Sequence, residues 1–131
     1  MASVLLIEDE IQLATVISRA LRQSGHRVRH ALDGRNVEHV VTEERFDVII
    51  TDMTMPERDG LEVICGLRRA GVQVPIIAMS GAPYAMMFGR IAQQAVATVF
   101  LPKPFSLDDL TVAVEQALRS SEGRVLTAVA A

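Results

Sequence analysis

Residues 48–52 read Val48-Ile49-Ile50-Thr51-Asp52, a short unbroken apolar run of β-branched residues closed by a carboxylate. A strand with one wet face alternates polar and apolar residues, whereas one buried on both faces reads as a continuous apolar run. Val4-Leu5-Leu6-Ile7, Ile76-Ile77-Ala78-Met79 and Val99-Phe100-Leu101 have the same character. All of these runs therefore suit central strands with packed layers above and below.

The segments between them carry a different period. Leu13, Val16, Ile17, Ala20 and Leu21 follow the i, i+3, i+4, i+7, i+8 spacing of one buried helix face, and Leu110, Ala113, Val114, Ala117 and Leu118 repeat it. Leu61, Ile64 and Leu67 form a weaker stripe. Gly25 and Gly71 stand where the first and third helices should stop. His26-Arg27-Val28-Arg29-His30-Ala31 alternates, as an exposed edge strand does. Five strands, each followed by a helix, predict an α/β protein with a doubly wound five-stranded parallel sheet. Its expected strand order is 2-1-3-4-5, that of the flavodoxin-like fold, with the weak second strand at an edge. One domain is expected over residues 1–120. Ser120-Ser121-Glu122-Gly123 marks a stop, and 121–131 read as a short tail without an output domain.

Composition excludes several classes. Half of the 131 residues are hydrophobic, enough for one sizeable core. A net charge of −3 gives no basic footprint for nucleic acid. A lone cysteine, Cys65, forbids an intramolecular disulfide and, beside only three histidines, argues against zinc. No apolar run approaches the roughly 20 residues that span a bilayer. Glu8 and Asp9 interrupt the N-terminal apolar stretch too early for a signal peptide. The expected setting is soluble and cytoplasmic.

In a parallel sheet the C-terminal strand ends share one edge, which is where open α/β folds bind ligands. That edge should gather Glu8, Asp9, Asp52, Ser80 and Lys103. Two carboxylates 4 Å apart repel by about 4 kcal/mol at an effective dielectric near 20. One lysine cannot neutralise three acids, so a bound divalent cation is the economical reading, and oxygen donors at an open edge suit Mg²⁺. Lys103 supplies a point positive charge, Ser80 a hydroxyl for a phosphate oxygen, and Asp52 a carboxylate nucleophile able to form an acyl phosphate. Taken singly, each residue has an ordinary alternative: Asp9 as a helix N-cap, Ser80-Gly81 as a turn, Lys103-Pro104 as a helix approach.

Ile7-Glu8-Asp9-Glu10, Thr51-Asp52-Met53-Thr54-Met55-Pro56 followed by Asp59-Gly60, Met79-Ser80-Gly81 and Lys103-Pro104-Phe105 together resemble the receiver domain of bacterial response regulators over about residues 3–119. The resemblance implies that Asp52 accepts a phosphoryl group from the phosphohistidine of a histidine kinase or histidine phosphotransfer protein. It implies Asp9 and Asp52 as direct ligands of Mg²⁺ (or Mn²⁺), the Thr54 backbone carbonyl as a third ligand, and Glu8 acting through water. Ser80 and Lys103 match the family's hydroxyl and lysine, Phe100 its aromatic switch position, and the Lys103–Pro104 bond is expected to be cis. Monomers, or dimers formed on phosphorylation, are the implied assemblies.

The chain also departs from the family pattern. Glu8 replaces the commoner Asp, and Phe100 stands where many relatives have Tyr, so a switch here works by burying a ring. Ala95-Val96-Ala97-Thr98 replaces a glycine-containing turn, and Gly89 falls inside the expected fourth helix, which Pro83 would begin. The expected partner surface is the face of that helix, the fifth strand and the last helix, where Met86, Met87 and Phe88 join Phe100; core packing is the alternative for the three. Two further readings are a receiver excised from a longer regulator and a phosphatase with an aspartyl-phosphate intermediate. Thr54, standing where such a phosphatase usually has its second Asp, counts against the latter.

Overall fold

The computed structural model describes residues 1–55, 58–81, 99–119 and 126–127, the last pair by backbone alone. Strands β1 (Ser3–Ile7), β2 (Arg27–Ala31), β3 (Val48–Asp52), β4 (Ile76–Gly81) and β5 (Val99–Lys103) alternate with helices α1 (Ile11–Gln23), α2 (Val37–Glu43), α3 (Gly60–Arg69) and, after β5, α4 (Leu107–Arg119). All pairings are parallel, and the order β2-β1-β3-β4-β5 is the expected one. The expected helix between β4 and β5, with Pro83 and Gly89, lies outside the described residues. The tail departs from expectation: a two-residue strand β6 (Leu126–Thr127) pairs with Val99 and Phe100 and adds a sixth strand beside β5.

The unbroken apolar runs are explained by two hydrophobic layers. Val4, Leu6, Val48, Ile50, Ile77, Met79, Val99 and Leu101 pack under α1 and α4. Their strand neighbours Leu5, Ile7, Ile49, Ile76, Ala78 and Phe100 point the other way, into a layer with Val37 of α2 and with Val63, Ile64 and Leu67 of α3. β2 alternates exposed and half-buried residues, as an edge strand does.

Both helix stops close through their glycines. At Gly25 (φ +90°), the His26 N–H donates to the Leu21 carbonyl and the Gly25 N–H to that of Arg22. At Gly71 (φ +83°), Val72 donates to Leu67 and Gly71 to Arg68 in the same pattern. These are Schellman closures, and the left-handed backbone they need is what glycine supplies without strain. The buried stripe of α1 is narrower than its apolar spacing suggests. Ala14, Ile17, Ser18 and Leu21 face the sheet, whereas Val16 is 52% exposed. Val16 lies about 100° around the helix from Ile17, beyond the sheet's reach. Leu118 likewise sits at the margin of α4, outside its buried stripe.

α4 begins with a reciprocal cap. The Ser106 hydroxyl accepts from the Asp109 N–H and the Asp109 carboxylate accepts from the Ser106 N–H, both at 3.0 Å. Ser106→Ala should therefore cost about 1 kcal/mol. In thermal denaturation this should lower the midpoint by a few degrees; an unchanged midpoint would show that the cap does not hold the helix.

Candidate functional site

The register levels the strand ends. Ile7 lies beside Thr51, Asp52 beside Met79, Ser80 beside Pro102 and Gly81 beside Lys103. Glu8 and Asp9 directly follow β1, Asp52 ends β3, Ser80 stands next to last in β4, and Lys103 ends β5. Residues spread over most of the chain thus meet at one edge.

Asp52 is 6% exposed, and each carboxylate oxygen has a donor. Oδ1 accepts from the Thr54 N–H at 3.0 Å, and Oδ2 from Lys103 Nζ at 3.0 Å. Lys103 Nζ also lies 3.5 Å from Glu8 Oε1, while Glu8 Oε2 accepts from the Glu10 N–H at 3.2 Å. Carboxylate oxygens of Glu8, Asp9 and Asp52 come within 4.8 Å of one another, close enough for a shared divalent cation. Glu8 and Asp52 are buried and Asp9 is exposed, so the cluster opens to solvent on the Asp9 side. Among the described residues the buried Ser80 hydroxyl has no hydrogen-bond partner. An unsatisfied buried hydroxyl costs free energy, and here it stands ready for an incoming acceptor.

Burial and charge crowding both show in the proton equilibria. Burial, followed by the Asp52 charge, pushes the Glu8 carboxyl up to about 7. Burial alone would lower the Lys103 ammonium, but its hydrogen bond to Asp52 and the charges of Asp52 and Glu8 outweigh that and raise it. Lys103 therefore remains a cation at neutral pH.

The chain leaving β3 and the start of α3 meet at this edge. The Gly60 N–H donates to the Met53 carbonyl at 3.2 Å, and a Cβ at residue 60 would lie within 2.7 Å of Met53 Cα. Only glycine lets α3 start this close to Asp52. Asp59 caps α3 by accepting from the Glu62 N–H at 2.9 Å.

Every sequence-derived polar candidate is thus drawn together: Glu8, Asp9, Asp52, Thr54, Ser80 and Lys103. The Lys103–Pro104 bond is cis. Phe100 is 8% exposed and packs in the α3-side layer. Met86, Met87 and Phe88, expected on a partner surface, lie outside the described residues. Two contributions escaped the sequence reading. His30, read as a plain edge residue, donates from Nε2 to the Glu8 carbonyl at 2.7 Å and so holds the backbone that carries the acid. The Thr54 N–H, as distinct from its carbonyl, orients Asp52. Backbone groups leave no mark in side-chain chemistry, and a lone histidine on an alternating strand carries no distinguishing pattern. Among the described residues no helix is long and apolar enough to cross a membrane.

Comparisons with known proteins agree with this arrangement. A family model, the response regulator receiver domain, matches residues 4–115. The chain is 34% identical over 122 residues to the transcriptional regulatory protein TctD of Salmonella typhimurium, covering 92% of this chain and 54% of that protein. It is 32% identical over 124 residues to the response regulator protein PmrA of Pseudomonas aeruginosa, covering 94% and 55%. The chain therefore spans about half the length of these curated relatives. Among solved structures it resembles the chemotaxis protein CheY4 of Vibrio cholerae, at 30% identity and TM-score 0.82 over 90% of this chain and 99% of that one. It also resembles the receiver domain of a Francisella response regulator, at 25% identity and TM-score 0.84 over 93% and 100%.

The raised Glu8 carboxyl has a measurable sign. Without metal, the folded state holds a proton that the unfolded chain releases near the ordinary value of 4.5. The stability this contributes is fully present below that value and is lost as pH rises through about 7. Denaturation midpoints in chelator should fall across this window for the wild type, and Glu8→Gln should flatten the fall. Parallel pH profiles for the two proteins would refute the assignment.

Proposed function

The chain belongs to the response regulator receiver domain family, and on that premise we propose that it is the phosphorylation switch of a two-component or phosphorelay system, with Asp52 as phosphoacceptor. The observation that carries this reading is the setting of Asp52: an ammonium on one oxygen, a backbone N–H on the other, and two further carboxylates beside it.

An Asp52 oxygen attacks the phosphorus of a phosphohistidine on a histidine kinase or histidine phosphotransfer protein. The P–N bond breaks, its electron pair returns to the imidazole, which gains a proton, and an acyl phosphate remains on Asp52. The Thr54 N–H holds the other oxygen, aiming the nucleophile. Lys103 stays charged at the place where the transferring group accumulates negative charge. The Ser80 hydroxyl, without a partner among the described residues, donates to a phosphoryl oxygen. The donor set fits a hard cation: Asp9, Asp52 and the Thr54 carbonyl would hold Mg²⁺ or Mn²⁺ directly, and Glu8 through water. When bound, that cation neutralises the carboxylates and stabilises the phosphoryl oxygens. Water later hydrolyses the acyl phosphate, so the chain resets itself and is not a turnover enzyme.

Readout would follow from Ser80. Its new charge-assisted hydrogen bond contributes about 1.5–3 kcal/mol. The Phe100 ring is already only 8% exposed, so a further shift of it adds a small part of the roughly 1.5–3 kcal/mol that full burial of an exposed Phe contributes. A shift from 1:99 to 99:1 needs about 5.5 kcal/mol. The hydrogen bond falls well short of that with Phe100 already inside, which supports an output by protein contact in which a partner helps select the active state. The length of the curated relatives leaves room for further domains in the full protein, and a cytoplasmic location is part of the same proposal.

Incubation with Mg²⁺ and a small acyl phosphate or phosphoramidate should add one phosphoryl mass to the wild type and none to Asp52→Asn. Equal labelling of both would sink the reading. Chelation should abolish labelling. Lys103→Ala should slow it by about 10²-fold or more, as loss of a transition-state donor does; an unchanged rate would remove Lys103 from the mechanism.

A further inference from the structure

The phosphoacceptor loop is anchored at a point remote from the carboxylates. Arg58, on the far side of that loop from Thr54, sends its guanidinium across to α2. Nη1 donates to Glu38 Oε1 at 2.6 Å and to the Gly34 carbonyl at 3.0 Å. Nη2 donates to Glu38 Oε2 at 2.7 Å and to the Glu62 carbonyl at 3.2 Å. The side chains are 20% and 37% exposed. Such a bidentate, partly buried fork is the geometry in which arginine and lysine are least interchangeable. The Arg58 hydrogen bond holds the Glu38 carboxyl below its ordinary range.

The surrounding backbone is shaped to admit this bridge. A Cβ on Gly66 would collide with Arg58 Nη2 and Glu38 Oε2, so the pair lies directly on the bare backbone of α3. A Cβ on Gly34 would collide with Val63 Cγ2 and lie 3.2 Å from the Arg58 carbonyl. Two glycines thus make room for one ion pair. Toward the site, the same loop holds Met53 and Met55 in the core and the Thr54 N–H on Asp52.

We infer that Arg58 is a positioning residue: its four-point anchorage to Glu38, Gly34 and Glu62 fixes the Arg58-Asp59-Gly60 segment, which the Gly60 N–H joins to the Met53 carbonyl, and thereby the neighbouring Thr54 peptide that orients Asp52 and offers a carbonyl to the cation. The inference rests on the phosphoacceptor reading for the role of Asp52, and extends the site to α2. Groups that orient ligands change metal affinity on the order of 10–100-fold when removed. Arg58 acts one step further out, and the expected effect is on the order of 10-fold.

The test uses the full chain. Mg²⁺ affinity by titration calorimetry and amide exchange at Thr54 are measured for wild type, Arg58→Ala, Arg58→Lys, Glu38→Gln and, as a matched stability control, Ser106→Ala. Expected are about 10-fold weaker Mg²⁺ binding and faster Thr54 exchange in Arg58→Ala. Arg58→Lys and Glu38→Gln, milder changes that keep most of the packing, should fall between it and wild type. Labelling by the small phosphodonor should slow at limiting Mg²⁺ and recover at saturating Mg²⁺. Ser106→Ala should lose thermal stability with no change in Mg²⁺ affinity. Affinity and Thr54 exchange unchanged in all three Arg58 and Glu38 variants would overturn the inference, leaving the bridge a structural brace. Wild type that neither binds Mg²⁺ nor is labelled would instead overturn the phosphoacceptor reading itself.

Discussion

A buried carboxylate needs compensation, and at Asp52 the compensation comes from Lys103, the last residue of a different strand, 3.0 Å away. That contact is possible only because β3, β4 and β5 run in the same direction in a register that levels their ends. The same ammonium also faces Glu8 at the end of β1. One lysine therefore ties together both halves of the sheet at their carboxyl edge. It remains outnumbered, since three carboxylates share the space with it. The arrangement is stable enough to fold and unbalanced enough to favour a cation or a shared proton, and the Glu8 carboxyl, raised by burial first and by the Asp52 charge second, shows both pressures.

The two hydrophobic layers give the site its rigidity. Successive residues of β3 alternate between the α1/α4 layer and the α2/α3 layer, so Asp52 ends a strand clamped from both sides. The following loop leaves the strand with Met53 buried and returns at Gly60, whose lack of a side chain lets α3 begin against the strand end. Packed strands with α3 starting against the strand end are what a preorganised electrostatic site needs, because donors that are already placed cost no reorganisation when charge develops.

Much of this was legible in the sequence because burial on both faces leaves a plain signature. The apolar runs located the central strands, and the parallel arrangement converted strand ends into neighbours without any local motif. The acids, Ser80 and Lys103 then followed from position and charge. What escaped was set by tertiary contact alone. Val16 has the residue type and nearly the spacing of a buried position, yet the sheet does not extend beneath it. Arg58 and Glu38 lie twenty positions apart, outside any helical or strand period, and nothing in the chain marks Gly34 and Gly66 as the space that admits them. The pairing of Leu126–Thr127 with β5 satisfies edge hydrogen-bonding groups by backbone, to which side-chain patterning is blind.

The double-sided burial of β3 has a genetic corollary. Ile49 and Ile50 are both fully buried, one in each layer, and both precede the carboxylate that ends the strand. A methylene removed from either is felt through a close-packed interior as a small displacement of the strand end. A screen for signalling defects should thus recover substitutions scattered through both layers. Their map would outline the strand and its two packed faces, with the acids at one tip.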